Sequence, residues 1–205
     1  GPLTGPFEGY AAVGMLGNQG HGFGPNLSRL VPLLDGLDRF GRYRGPLGSI
    51  MHTYAGYYTG ASFAFFGVTN RDLFGAASPK AKELFLSTVG HLLRRVYLHE
   101  TDTEFSCYGP GETVRLRTQV SNFGRQAQEV AVQLEALPAQ DGPATFARSR
   151  TLTLAPGATE PVVAEWETPP ALRPRCFRVR ATLLTEGKPV DQEESAVVLW
   201  AGQPD

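Results

Sequence analysis

The sequence has few of the residues that build metal sites or disulfide scaffolds. Its 205 residues include only two cysteines, Cys107 and Cys176, too few for a zinc site made of cysteine alone or for a disulfide framework. The four histidines show no i, i+4 pairing, so we predict no metal site and no cofactor. No run of about 18 apolar residues occurs, which predicts the absence of a membrane-spanning helix.

Charge is also sparse, and it is balanced. The chain has 19 basic and 20 acidic residues, and lysine occurs only at Lys80, Lys82 and Lys188. This balance gives no global electrostatic basis for binding nucleic acid or an anionic membrane, and we predict neither partner. Glycine and proline are frequent, at 24 and 16 residues, yet together they stay below the share of about 25–30% that signals disorder.

The first residues carry no recognisable signal peptide. The sequence Gly1-Pro2-Leu3 fits the scar of a cleaved expression tag. We therefore expect a fragment or a mature piece of a larger protein, whose partners are the rest of that polypeptide or further copies in a homo-oligomer.

The first half of the chain mixes helical and strand-like patterns. Apolar residues at helical spacing between residues 25 and 40 predict a helix that is broken near Pro32. Residues 47–54 and 62–68 predict two strands, and the continuous apolar run of the second is typical of a strand covered on both faces. Residues 78–96 predict the clearest helix, with Ser78 as its N-cap.

Beyond about Tyr97 the pattern changes to a period of two. Apolar residues alternate with polar ones in several short segments: 113–121, 130–134, 152–154, 162–166, 177–183 and 195–200. Short alternating strands separated by turn residues predict an antiparallel β-sandwich. We therefore predict two domains, residues 1–98 and 99–205.

Residues 104–200 resemble the Ig-like accessory modules of bacterial extracellular and carbohydrate-active proteins, of the cell-adhesion-related type. The segments that carry the resemblance are PGETV at 110–114, VSNFG at 120–124, LAPGA at 154–158 and GKPVD at 187–191. The resemblance implies an Ig-like fold and favours an extracellular or periplasmic location over a cytoplasmic one. It does not imply a particular function.

Residues 10–96 resemble the C-terminal end of a class I glutamine-amidotransferase-like, flavodoxin-type domain. The segments GSIMH at 48–52 and FAFFGV at 63–68, followed by the helix at 78–96, carry this resemblance. Such domains occur as non-catalytic modules of glycoside hydrolases, including the trimerisation domain of family 42 β-galactosidases. The expected fold class is thus α/β plus all-β: a partial flavodoxin-like α/β module followed by an Ig-like antiparallel sandwich. The first half has no cysteine nucleophile, so amidotransferase chemistry is not expected.

Polar and aromatic residues at the predicted strand ends are the candidate ligand-binding residues. His52, Tyr54, Tyr57 and Tyr58 lie at the end of the first predicted strand and in the loop beyond it, where open α/β sheets bind ligands. The tyrosines would stack on sugar rings; the alternative is a loop packed against the neighbouring domain.

Two further loops contain candidate residues. His21 lies in the glycine-rich segment at 17–24, which either holds a ligand through backbone N–H groups or is a tight turn. Asn70 and Asp72 follow the second predicted strand. Asp72 would act with Glu8 or Glu100 in glycoside cleavage, or would form a salt bridge with Arg71 in a turn. Cys107 and Cys176 would either pair or remain two buried thiols.

Three functions fit these features. The first is a non-catalytic accessory region of a larger bacterial carbohydrate-active protein, serving docking, oligomerisation or support. The second is a glycan-acting enzyme with its site at the loops around His21, His52 and Asp72. The third is an adhesion module that binds glycan or protein through the tyrosine loop.

Overall fold

The computed structural model describes residues 27–69, 79–140, 142–168 and 173–200. These residues group into two compact units, and the division falls between Arg95 and Val96. Within the described ranges, strands make up most of the second unit and are the largest class of structure in the first, and the chain forms one helix.

The first unit is a three-stranded sheet with one helix. Its elements are β1 (Ser28–Leu37), β2 (Tyr43–Thr53), β3 (Ser62–Phe66) and α1 (Pro79–Arg94). The strands pair antiparallel in the order β1-β2-β3. The predicted helix at 78–96 is confirmed as α1, although Ser78 lies outside the described residues. The flavodoxin-like α/β prediction is wrong: the model is mostly β, and this unit contains no parallel doubly wound sheet in its described part.

The broken helix predicted for residues 25–40 is instead strand β1. Proline lacks an N–H group and is excluded from helix interiors, but it is tolerated on the edge of a sheet. Pro32 lies in β1, the edge strand of the described sheet. The register shifts between Pro32 and Leu34 and again after Leu34. These irregularities break the alternation of a regular strand, which is why the apolar spacing imitated a helix.

Strand β3 also differs from its prediction. Its apolar run indicated a strand covered on both faces, but Phe63 and Phe65 are 49% and 40% exposed. They lie on one face of an edge strand, opposite Met51 and Ser49 of β2. The run is therefore apolar without being enclosed.

The second unit is a β-sandwich. Its strands are β4 (Val96–Thr103), β5 (Cys107–Tyr108), β6 (Thr113–Asn122), β7 (Gln128–Pro138), β8 (Phe146–Leu154), β9 (Thr159–Glu167), β10 (Arg175–Thr185) and β11 (Lys188–Leu199). One sheet has the order β5-β11-β10-β7-β8 and the other the order β4-β6-β9. All pairs are antiparallel except β5 with β11. The predicted sandwich is confirmed.

The core of the sandwich lies between the inner faces of the two sheets. The alternation predicted for residues 113–121 places Val114, Leu116 and Val120 inside, and all three are fully buried. Trp166 anchors one end, with its ring centroid 5.1 Å from that of Phe177 in an edge-to-face arrangement. Burial of these side chains supplies the main stabilising free energy of the unit.

Neither alternative for the two cysteines is correct. Cys107 and Cys176 are both free, so they form no disulfide, and both are exposed rather than buried.

Candidate functional site

The structure describes four of the seven candidate ligand-binding residues. His21, Asn70 and Asp72 lie outside the described residues. The remaining four candidates lie together at the end of β2 and in the loop that joins it to β3: His52, Tyr54, Tyr57 and Tyr58.

The β2–β3 loop is held by its own backbone hydrogen bonds. The N–H group of Gly60 donates to the Thr53 carbonyl at 2.7 Å, and that of Ala61 donates to the Tyr58 carbonyl at 2.9 Å. Gly60 has a φ of 82°, a left-handed conformation that favours glycine. The Arg95 guanidinium, just beyond α1, donates to the Gly60 carbonyl at 2.8 Å. The loop is thus ordered before any ligand arrives.

The loop displays two tyrosines to solvent. Tyr57 is 95% exposed and Tyr58 is 54% exposed. Their ring centroids are 5.0 Å apart in an edge-to-face arrangement. Tyr54 is half-buried, while the backbone N–H of Tyr54 donates to the Leu27 carbonyl at 3.0 Å. The structure therefore separates one tyrosine that packs inward from two that face outward.

His52 is buried within the unit rather than displayed with the tyrosines. Its ring is fully buried, with Nδ1 2.9 Å from the Ser62 hydroxyl and Nε2 2.9 Å from Nε2 of His91 on α1. The sequence analysis did not connect His91 to His52. The only signal was a histidine on each of two elements, 39 positions apart in the chain.

These three side chains form a chain of hydrogen bonds whose donors and acceptors depend on the tautomer of His52. Two Nε2 atoms share one hydrogen, so one ring donates and the other accepts. If His52 donates from Nε2, its Nδ1 accepts from the Ser62 hydroxyl; if His91 donates, Nδ1 of His52 donates to Ser62. The chain of hydrogen bonds connects β2, β3 and α1.

A second polar cluster, which sequence reasoning did not single out, lies at the β1–β2 turn. The Asp38 carboxylate accepts from Arg42 Nε and from Arg44 Nη2, each at 2.8 Å. Desolvation acts to raise the pKa of Asp38, but backbone hydrogen bonds from Arg42 and Phe40, with the two guanidinium groups, lower it from 3.8 to about 2. The cluster stabilises the turn while leaving Phe40 65% exposed.

The described residues contain neither a metal-binding cluster nor a membrane-spanning helix. Within them, no group of three or more His, Cys, Asp or Glu side chains is arranged to hold a metal ion. No helix in the described part of the chain is long and apolar enough to cross a membrane.

The fold defines a β-rich chain whose larger described unit is a two-sheet β-sandwich. Comparison with protein-family models gives no match. Comparison with curated proteins also gives no match.

Solved structures resemble about half of the chain. A cycloisomaltooligosaccharide glucanotransferase from Paenibacillus sp. has 23% identity and a TM-score of 0.44, covering 53% of this chain and 14% of its own. A β-glucosidase from Erythrobacter marinus has 19% identity and a TM-score of 0.41, and the match covers 51% of this chain and 15% of the β-glucosidase. A CARDB domain from Pyrococcus furiosus, in complex with di-metal ions, has 13% identity and a TM-score of 0.41. The match covers 52% of this chain and 93% of the CARDB domain. The chain therefore spans about one seventh of the length of the first two proteins.

Proposed function

We propose that this chain is a non-catalytic accessory region of a larger carbohydrate-active protein, and that its β2–β3 loop contacts carbohydrate. The observation that carries the proposal is the exposed Tyr57–Tyr58 pair on a loop held by internal hydrogen bonds. The resemblance of residues 104–200 to accessory modules of carbohydrate-active proteins supports the choice of ligand class.

The physical basis is the amphipathic character of the tyrosine side chain. Its ring packs against the C–H face of a sugar, while its hydroxyl donates and accepts hydrogen bonds. Because the loop is already ordered, binding loses little backbone entropy. Accessory domains of this kind need no acid, base or nucleophile, so the proposal requires no catalytic role for His52.

Glycan retention tests this proposal. The full chain is passed over immobilised glucan, xylan and galactan, and retention is compared with that of Tyr57→Ala and Tyr58→Ala. Tyr43→Ala is the matched control, because Tyr43 is 60% exposed at the far end of β2. We expect retention on one polymer, its loss in both loop variants and no change in the control. Equal retention by all variants, or none by the parent chain, would reject the proposal.

A second candidate function is self-assembly through β3. Phe63 and Phe65 project from the same face of an edge strand. Edge strands with exposed apolar side chains are templates for pairing with another chain. Light scattering of the full chain should then show an oligomer that Phe63→Ser with Phe65→Ser converts to a monomer. A monomeric parent chain at all concentrations would contradict this function.

A further inference from the structure

The side of the sandwich between β8 and β9 is open. β8 is the edge of the five-stranded sheet and β9 is the edge of the three-stranded sheet. Between them lies a cleft of about 620 Å³, whose floor includes Leu134 and Val162. This volume falls within the range of about 300–1,000 Å³ that is typical of ligand sites.

The sequence of β8 explains why the core does not close here. Arg148 and Arg150 pair in register with Leu134 and Val132 of β7, so the arginines lie on the face of β8 that points into the sandwich. Across the cleft, the inward-facing lining residues of β9 are Val162 and Ala164. A guanidinium group is too costly to bury without a partner, so both arginines stay exposed. Leu134 and Val162 beneath them remain buried, and Ala164 is half-buried.

The other side of the sandwich is closed by side chains. There the carboxylate of Asp191 accepts from the Leu98 backbone N–H at 2.9 Å, and Glu193 accepts from that of Thr101 at 3.0 Å. These contacts occupy the backbone donors of β4, which is also an edge strand. On the side of β8, the described residues provide no equivalent cover.

The rim of the cleft is basic along β8. Arg148 and Arg150 form no ion pair with any described residue, and Arg150 instead donates to the Pro161 carbonyl at 3.2 Å. The β9 rim carries Glu165 and Glu167. Glu165 is already paired with Arg115 at 3.2 Å. Glu167 forms no ion pair with any described residue, so two unmatched guanidinium groups stand against one unmatched carboxylate and the unmatched charge of the lining is net positive.

We propose that this cleft binds an extended peptide segment with an acidic side chain, which adds as a strand to the free edge of β8. Strand addition satisfies the outward backbone groups of an edge strand, and alternate side chains of the guest enter the cleft. Apolar guest side chains pack against Ala164 and the aliphatic stems of the two arginines, while a carboxylate between them pairs with Arg148 and Arg150. A free anion would contact the arginines but would not pair with the backbone of the strand edge.

The test uses the full chain and a blocked peptide of sequence Thr-Val-Thr-Glu-Thr-Val-Thr, whose valines and glutamate share one face. Binding is followed by NMR shifts of the β8 and β9 amides. We expect saturable shifts, and a loss of affinity of about tenfold or more when glutamine replaces the peptide glutamate. The double variant Arg148→Gln, Arg150→Gln should show the same loss. Arg125→Gln, an exposed arginine in the β6–β7 loop, should bind as the parent does.

Two comparisons separate strand addition from other binding. A peptide methylated at alternate backbone nitrogens cannot pair with β8 and should not bind. Glucuronate at the same concentration should produce no saturable shifts. The proposal is overturned if the parent peptide gives no shifts, if the methylated peptide binds equally well, or if glucuronate reproduces the shifts with the same arginine dependence. Unchanged melting temperatures would show that the arginine variants remain folded.

Discussion

Nε2 of His52 lies 2.9 Å from Nε2 of His91, so a fully buried strand residue and a helix residue share one hydrogen. The same His52 ring contacts the Ser62 hydroxyl through Nδ1 at 2.9 Å. This relationship joins α1 to two strands of its sheet. It also places a candidate ligand-binding residue inside the unit, where it contributes to stability.

The first prediction concerns the stability of the first unit. His52→Ala removes both hydrogen bonds and leaves a cavity beneath α1, so we expect a loss of about 2–4 kcal/mol in unfolding free energy. Hydrogen exchange of the α1 amides measures this loss within the unit. Ser87→Ala, on the exposed surface of the same helix, is the control and should change exchange little. Unaltered α1 protection in His52→Ala would contradict the structural role.

The second prediction concerns acid sensitivity at the β1–β2 turn. The folded pKa of Asp38 is about 2, below its ordinary 3.8. A lowered folded pKa stabilises the native state above the unfolded pKa, and this stabilisation is lost as pH falls through the folded value. We expect Asp38→Asn to lower the melting temperature near neutral pH. The difference from the parent should shrink between about pH 4 and pH 2, as thermal melts at stepped pH can show. A difference that stays constant down to pH 2 would contradict the assignment.

The third prediction concerns Asn122, at the end of β6. Its buried amide donates from Nδ2 to the Gln126 and Leu154 carbonyls at 2.8 and 3.0 Å, and its Oδ1 accepts from the Gly124 N–H at 2.9 Å. Asn122→Asp keeps the acceptor but loses both donations, so we expect a loss of about 2–3 kcal/mol. Denaturant unfolding followed by the fluorescence of buried Trp166 measures it.

The control for Asn122 makes the same chemical change at an exposed position. Gln126→Glu alters a side chain in the neighbouring loop and should change the unfolding free energy by less than about 0.5 kcal/mol. Equal effects of the two substitutions would show that the buried hydrogen bonds of Asn122 are not responsible.

The fourth prediction concerns the cysteines. Cys107 and Cys176 each pair in register with Val198 of β11, from opposite sides. Two strand spacings place their Cα atoms about 10 Å apart, beyond the reach of a disulfide. Because both thiols are exposed, both should react with a thiol reagent in the native chain. The Cys107→Ser variant should retain one reactive thiol. If mild oxidation lowered the intact mass by two daltons, the two cysteines would have formed a disulfide within the chain. That result would contradict the strand register.

Sequence reasoning succeeded where one face of an element is buried throughout. In β6 and β10 the period of two identified the inward side chains, since a pleated strand turns alternate residues to opposite faces. α1 was recognised from its helical period, although Phe85 and Leu93 of its apolar stripe are exposed. The tyrosines at 57 and 58 were also singled out correctly as residues of a loop, although their ligand role stays a proposal.

The failures came from elements whose conformation depends on a partner strand. β1 pairs with β2 through an irregular register around Pro32 and Leu34, and that pairing overrides its helix-like spacing. In β3, the apolar sequence did not predict burial, because the exposure of a side chain depends on which elements pack against the strand. The flavodoxin-like resemblance failed with these two elements.

The amino-acid sequence by itself determined that residues from about 97 onward form alternating strands, because burial of one face requires that pattern. Only the tertiary structure decided which contacts are made by the polar residues that interrupt the apolar pattern. It brings His52 to His91, and it sets Arg148 and Arg150 on the inward face of an edge strand. The physical reason is that hydrogen bonding, charge burial and cleft formation depend on neighbours distant in the chain, which local periodicity does not encode.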